Sequence, residues 1–250
     1  MLIIDTETSG LDGAPKDRVL EIGIARLDEV TLRVSPVYEA MVRYPDGERF
    51  FEEHGQIWVF ENTDLSPGLI ESQGDDIDTV VRQVRRIVAG CSVASYNVSF
   101  DFGRFLFRDP WSLGRYCTPT LDIMEGATSA VRELAAGDAI EDKMLQRRLM
   151  DGWRDRPGRR VRAIEAYLAL CPDDPADRNG VQSHRALDDA ILEAHILRRI
   201  WTEHEDTAFS WPTPSPVQDS WRGERCTSPA PRRCPCASAS PTAWTTIPRG

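Results

Sequence analysis

The first 44 residues constrain the fold most, because three apolar segments follow one another with only short links between them. Leu2 to Asp5 is a brief apolar run that ends in carboxylates, followed by a Ser9-Gly10 turn. Val19 to Leu27 alternates in the period-two manner of a strand, and Val34 to Tyr44 reads as a third, closed by the Pro45-Asp46-Gly47 turn. Consecutive strands so linked form an antiparallel meander.

Beyond them the pattern switches between periods. Asp76 or Asp78 can cap a helix to about Ala89, since Val80, Val81, Val84, Ile87 and Val88 recur at helical spacing and Gly90 follows. Cys91 to Tyr96 reads as a strand, Ser99 to Arg108 as a helix and Thr120 to Met124 as a final strand, with helices over about 128–150 and 161–170. The clearest helix begins after Ser183 as N-cap and sets Ala186, Leu187, Ala190, Ile191, Ala194, Leu197 and Trp201 on one side. Three strands, then alternating helix and strand, then helices, imply an α/β mixed sheet: antiparallel first, parallel after, with helices on its faces.

At 41% hydrophobic residues the chain can bury a sizeable core. No apolar run approaches the roughly 18 residues of a spanning helix, and Met1-Leu2-Ile3-Ile4 is stopped at once by Asp5 and Glu7, unlike a signal peptide. A cytoplasmic protein without a membrane partner is expected. Cys91, Cys117 and Cys171 stand singly among apolar neighbours, as buried thiols do in a reducing compartment. Cys226, Cys234 and Cys236 offer a Cys-x-Cys without a fourth ligand or nearby His, a poor zinc site. They fall in a segment from Thr207 that holds 8 of the 17 prolines and cannot build a core. The expected organisation is one domain over 1–206 and a disordered Pro/Ser/Thr/Arg-rich tail over 207–250.

The net charge of −10 argues against wrapping long duplex, so any nucleic-acid contact should be short. One stretch departs from this balance: seven arginines lie between Arg147 and Arg162 with only Asp151 and Asp155 among them. It is suited to guiding a phosphate backbone, and equally to being a solvated loop between helices.

Acidic residues gather at three stations. Asp5 and Glu7 are two apart in extended chain, so both face one way and can reach a common ion. An acid-x-Glu pattern is expected about once or twice by chance at this composition. Asp46-Gly47-Glu48 is one such accident, flanking a turn glycine and left to solvent, whereas Asp5 and Glu7 emerge from a strand placed mid-sheet. Asp101 follows Asn97 and Phe100 at a helix start, where Phe100 can anchor in the core while Asp101 faces the first pair. Ordinary N-terminal helix chemistry would also account for an Asp there. Asp189, flanked by Ala186 and Ala190, is directed at the sheet while Asp188 turns to solvent, and an inward carboxylate needs a partner such as a metal. His184 stands at the mouth of that helix, as a surface cap or as a base. Three such stations and one His, each at a strand end or helix start, are harder to assign to local chemistry than any one alone.

Asp5-Thr6-Glu7-Thr8-Ser9-Gly10-Leu11, Asn97-x-x-Phe100-Asp101 and His184-x-Ala186-x-x-Asp189-Ala190 resemble the three exonuclease motifs of the DEDDh (DnaQ-like) 3′–5′ exonuclease family. That group includes the proofreading epsilon subunit of bacterial DNA polymerase III, RNase T and oligoribonuclease. The resemblance covers about residues 1–201 and implies a ribonuclease H-like fold. It also implies Asp5, Glu7, Asp101 and Asp189 as ligands of two Mg²⁺ or Mn²⁺ and His184 as general base. The 3′ end of a nucleic-acid strand, expected to be single, would be the substrate, with Thr8, Gly10, Leu11, Asn97 and Phe100 around the terminal nucleotide. A DNA polymerase or other replication or repair protein is a conceivable partner. A non-catalytic nucleic-acid-binding or polymerase-docking module, or an RNA-trimming enzyme, are the alternatives, and no residue decides between DNA and RNA.

Overall fold

The computed structural model describes residues 1–55, 57–173 and 184–203. Strands β1 (Leu2–Thr8), β2 (Val19–Leu27) and β3 (Val34–Arg43) form the expected antiparallel meander. A two-residue β4 (Asp75–Asp76) runs parallel to β3, while β5 (Ser92–Ser95) and β6 (Thr118–Asp122) extend the sheet in parallel on the far side of β1. The six-stranded order is β4-β3-β2-β1-β5-β6. Because β1, β5 and β6 point the same way, Thr8, Tyr96 and Asp122 come to one edge.

Three short helices between β3 and β4 have no counterpart in the sequence reading: α1 (Gly47–His54), α2 (Trp58–Asn62) and α3 (Pro67–Gln73). Each is too short to show a helical period, yet together they bury Phe50, Val59 and Ile70 against Leu20 in a core of their own. Only α3 carries a local signal, with Pro67 at the first position and the Ser66 hydroxyl accepting from the Leu69 amide at 3.2 Å. Helix α4 (Ile77–Val88) is as expected, with Val80, Val81, Val84 and Val88 buried.

After β5 the short α5 (Val98–Phe100) passes into a π-turn over Asp101–Leu106, where a single helix to Arg108 was expected. The last strand ends at Asp122 rather than Met124, because the Asp122 carboxylate caps α6 (Ile123–Ala136) by accepting from the Glu125 amide at 3.2 Å. The long helix expected over about 128–150 is two: Gly137 and Asp138 (φ +55°) end α6, and Asp142 opens α7 (Lys143–Asp155) by accepting from the Met144 and Leu145 amides. Helices α8 (Ala163–Leu170) and α9 (Ala186–Glu203) complete the layer. With α6 and α7 they cover the face of Ile3, Ala25, Leu27, Ala94 and Leu121. None of the described helices is long and apolar enough to cross a membrane. Cys91, Cys117 and Cys171 are buried thiols as anticipated. Ser183, the tail and its three cysteines lie outside the described residues.

The start of α9 is positioned by β2. Gly23 faces the backbone of Ala186 and Leu187 so closely that a Cβ would overlap it. Two residues along, the buried Glu21 carboxylate accepts from the Ala186 amide at 3.0 Å and from Arg185 Nε at 3.0 Å. Glu21 therefore caps the helix from another element. Gly23→Ala is expected to cost about 1–3 kcal/mol or more, the range of an overpacked core, read as a lower urea midpoint with an unchanged slope.

Candidate active site

Antiparallel register sets Asp5 opposite Gly23 and Glu7 opposite Glu21. Since Gly23 has no side chain, α9 settles beside Asp5, and the first turn of α9 brings Asp189 with it. Asp189 is 3% exposed, and Asp188 faces solvent, as expected from the flanking alanines. A bulge after Glu7, where pairing slips from Glu21 to Val19, turns the end of β1 away from the ladder.

Asp101 arrives from the third direction. The Asn97 side-chain oxygen accepts from the Phe100 amide at 3.3 Å, the chain enters the π-turn, and Asp101 becomes 3% exposed with Oδ1 accepting from the Thr6 hydroxyl at 2.8 Å. Single-turn π segments are frequent at functional sites. The anchoring differs from expectation: Phe102 and Phe105 enter the core, whereas Phe100 stays half-buried, its ring edge to Phe105 at 5.4 Å between centroids.

His184 adopts the left-handed region (φ +51°), unusual for a residue other than glycine. Its ring meets that of Trp58 edge-on, 5.0 Å between centroids at 90°. Ligand atoms of Glu7, His184 and Asp189 all lie within 4.8 Å of one another. With Glu21 capping α9, His184 is not the cap, and partial burial moves its pKa below the ordinary histidine value.

Packed together, with Asp101, Asp189 and Glu193 buried and Asp5 and Glu7 partly so, the acids raise one another. Burial foremost, then the charges of Glu193, Asp101, Asp189 and Glu7, holds the Asp5 carboxyl well above the carboxylate range. Glu7 is pushed up to about 9 by burial, Asp189, Glu21 and Asp101, with Arg185 opposing. Asp101 rises to about 7 through burial, countered by the Thr6 hydrogen bond. The sequence reading missed Glu193, one turn after Asp189. It is 2% exposed, hydrogen-bonded with the Asp5 side chain, and leaves Oε2 without a partner. A buried, mutually repelling set of hard oxygens beside one imidazole fits a divalent cation, which offsets the repulsion and takes the orphaned valences. The spacing of α9 held the signal for Glu193, since residues four apart share a face.

The residues expected around a terminal nucleotide are less uniform. Leu11 is 71% exposed at the mouth of the site. Thr8 donates to the Gly10 carbonyl at 2.9 Å, and Gly10 packs on the Asp17 carboxylate, where a Cβ would clash. Asp17, also missed, is 5% exposed and gathers the loop by accepting from the Asp12 amide at 2.7 Å and the Gly13 amide at 3.3 Å. Asn97 is engaged as a cap. Arg104 donates to the Leu11 carbonyl and lies 5.6 Å from the Phe100 ring centre, so Leu11, Phe100 and Arg104 form one surface.

No family model matches the chain. No curated protein matches it by sequence. Among solved structures it is similar to E. coli Exonuclease I in complex with a 5cy-dT13 oligonucleotide, at 18% identity and TM-score 0.50, over 82% of this chain and 41% of that one. It is also similar to a full-length 3′-exonuclease, at 18% identity and TM-score 0.47, over 81% of this chain and 60% of that one. A 3′-exonuclease described in 3′-end-specific recognition of histone mRNA stem-loop matches at 18% identity and TM-score 0.46, over 82% and 83%. The likeness to Exonuclease I is one of fold, a mixed six-stranded sheet flanked by helices. The chain spans about two fifths of the length of Exonuclease I.

Raised carboxyl pKa values fix a sign for the metal-free protein. The folded state binds more protons than the unfolded one, so stability is full below the unfolded carboxyl range and falls as pH rises toward the folded values, about 7 for Asp101 and about 9 for Glu7. His184, shifted down, contributes oppositely near its unfolded value of about 6.5. With several acids against one imidazole, melting in EDTA is expected to drop between about pH 5 and pH 9, and Mn²⁺ at pH 8 to restore it. A chelated protein equally stable at both ends would refute this electrostatic account.

Proposed function

We propose that the chain is a divalent-metal-dependent 3′–5′ exonuclease that releases nucleoside 5′-monophosphates from the 3′ end of a single strand. Asp5, Glu7, Asp101 and Asp189 hold two Mg²⁺ or Mn²⁺, and His184 is the general base. The observation that carries this reading is the grouping of Glu7, His184 and Asp189 ligand atoms within 4.8 Å beside the buried Asp101. Neighbourhood to exonuclease folds, one bound to an oligonucleotide, supports it.

Two cations held there would lower the pKa of a water and stabilise charge on the departing oxygen. The chain supplies the rest. The half-buried His184 imidazole, its pKa lowered, is neutral at pH 7 and accepts the proton of the attacking water as that oxygen bonds to phosphorus. The phosphorus–O3′ bond breaks, and the freed 3′ oxygen is protonated from solvent. Trp58, edge-on to the ring, restrains the imidazole in its left-handed backbone setting. Leu11 and Phe100 offer an apolar face for the terminal base.

Asp5→Asn and Asp189→Asn are expected to abolish mononucleotide release from a labelled single strand while leaving the circular dichroism spectrum intact. His184→Ala should lose on the order of 10²-fold or more. Full activity in the Asp5→Asn protein would sink the proposal. The rate should climb with pH on the acid side of about 6.5, because burial lowers the His184 pKa. A flat profile from about pH 5 to 8 would remove His184 as the base.

A further inference from the structure

The arginine-rich segment after α7 is an ordered structure, not a solvated loop. The Trp153 indole donates to the Arg159 carbonyl at 3.0 Å, and Arg132 donates to the carbonyls of Pro157 and Arg159. Arg159 turns inward: its guanidinium meets both oxygens of the fully buried Glu165 at 2.6 and 2.7 Å, and its Cδ lies 3.3 Å from where a Cβ on Gly152 would sit. Gly152 thus has a packing reason inside α7. Arg162 and Arg148 also approach Glu165, so one carboxylate faces three guanidinium groups and positive charge is left over.

Outside this clamp, Arg156 is exposed and meets no acidic partner among the described residues. Arg160 pairs with Glu125 at 2.9 Å, but both side chains are about half exposed, and such pairs are worth little and exchange easily. Together with Arg162 the two arginines line an open cleft of about 950 Å³ over Pro157 and Gly158, and Arg160 continues into a second cleft of about 340 Å³ beside Ser129.

This segment is tied to the edge that carries the acids. The Tyr96 hydroxyl, directly after β5, donates to the Val161 carbonyl at 2.9 Å, and the Val161 amide donates to Thr128 at 3.2 Å. Asp122, at the end of β6, accepts from the Val98 amide at 3.2 Å, three residues before Asp101, and caps the helix whose first turn holds Glu125. The cleft and the acids are thus joined through the ends of β5 and β6.

We propose that Arg156 and Arg160 form a cradle for the phosphodiester backbone upstream of the 3′ nucleotide. This rests on the exonuclease reading for its direction along the strand, though not for its chemistry. Guanidinium forks suit phosphate oxygens, and the clamp by Trp153, Arg132 and Glu165 holds the segment in place before the strand arrives. Arg159, by contrast, is a structural residue, and its neutralisation would be read as lost folding.

The test is fluorescence anisotropy of a labelled thymidine 12-mer with the full chain in EDTA, at several salt concentrations. Arg156→Gln/Arg160→Gln should bind about tenfold more weakly, with a salt slope smaller by about 1.4, the value for two phosphates of a single strand no longer neutralised. The Lys pair at the same positions should recover most of the affinity, and Arg33→Gln/Arg86→Gln should match the wild type. Equal binding by the Gln pair and the wild type, or an equal weakening in the Arg33/Arg86 control, overturns the cradle. Wild-type hydrolysis of the p-nitrophenyl ester of thymidine 5′-monophosphate, which has no upstream phosphate, tests the exonuclease reading separately. Its absence would fell that reading while arginine-dependent binding still upheld the cradle.

Discussion

The approach of α9 to β2 at Gly23 governs the geometry of the site. The helix carries Asp189 and Glu193 and follows His184, yet what fixes its depth is the absence of a side chain one strand away. Glu21 then fixes its start, because a fully buried carboxylate must find donors and finds them in the Ala186 amide and Arg185. Removing one partner of a buried pair costs about 3–5 kcal/mol, so this contact is both a capping device and a lock. Glu7, opposite Glu21 in the ladder, is held at the same level of the sheet as the start of the helix.

That lock allows five acids to share a desolvated space. Asp5, Glu7, Asp101, Asp189 and Glu193 oppose one another, and the upward shifts of Asp5, Glu7, Asp101 and Glu193 are each driven first by burial. A fold that tolerates such a set without a cation does so by keeping protons on it. Arg185 is the cation that eases Glu7, but its guanidinium is already turned to Glu21, with Glu39 at 3.6 Å. The frame is thus rigid where the helix starts and electrostatically under-compensated where the acids meet, which is the condition in which a divalent ion is bound strongly.

Much of this was legible in the residues. The strands β2 and β3 were readable because alternation over nine or ten residues outlasts chance, and the position of Asp189 followed from its alanine neighbours. Asp5, Glu7, Asp101, Asp189 and His184 gather around the end of β1 and the start of α9. What stayed hidden had a different physical basis. Helices α1 to α3 are stabilised by a tertiary core around Phe50 and Ile70, not by a period of their own. Phe102 is buried where Phe100 was expected to anchor, because a π-turn advances the chain differently from an α-helix. Trp58, Asp17 and Glu193 join the site through packing, and nothing local marks a tryptophan on a five-residue helix as the neighbour of a histidine far along the chain.

The placement of charge also reconciles an acidic protein with a polyanionic ligand. At −10 overall, long-range attraction cannot draw a strand in, so contact must come from cations held at short range. Arg159, turned inward to Glu165, adds little to that contact, whereas Arg156, and Arg160 once Glu125 yields, present charge within a Debye length of about 8 Å of a strand in the cleft. Binding of this kind is weak and brief over the body of a strand. On the proposed reading the acids need phosphate only at one end, and a short cradle tied to the same edge of the sheet would concentrate affinity there while the remaining acidic surface repels nucleic acid.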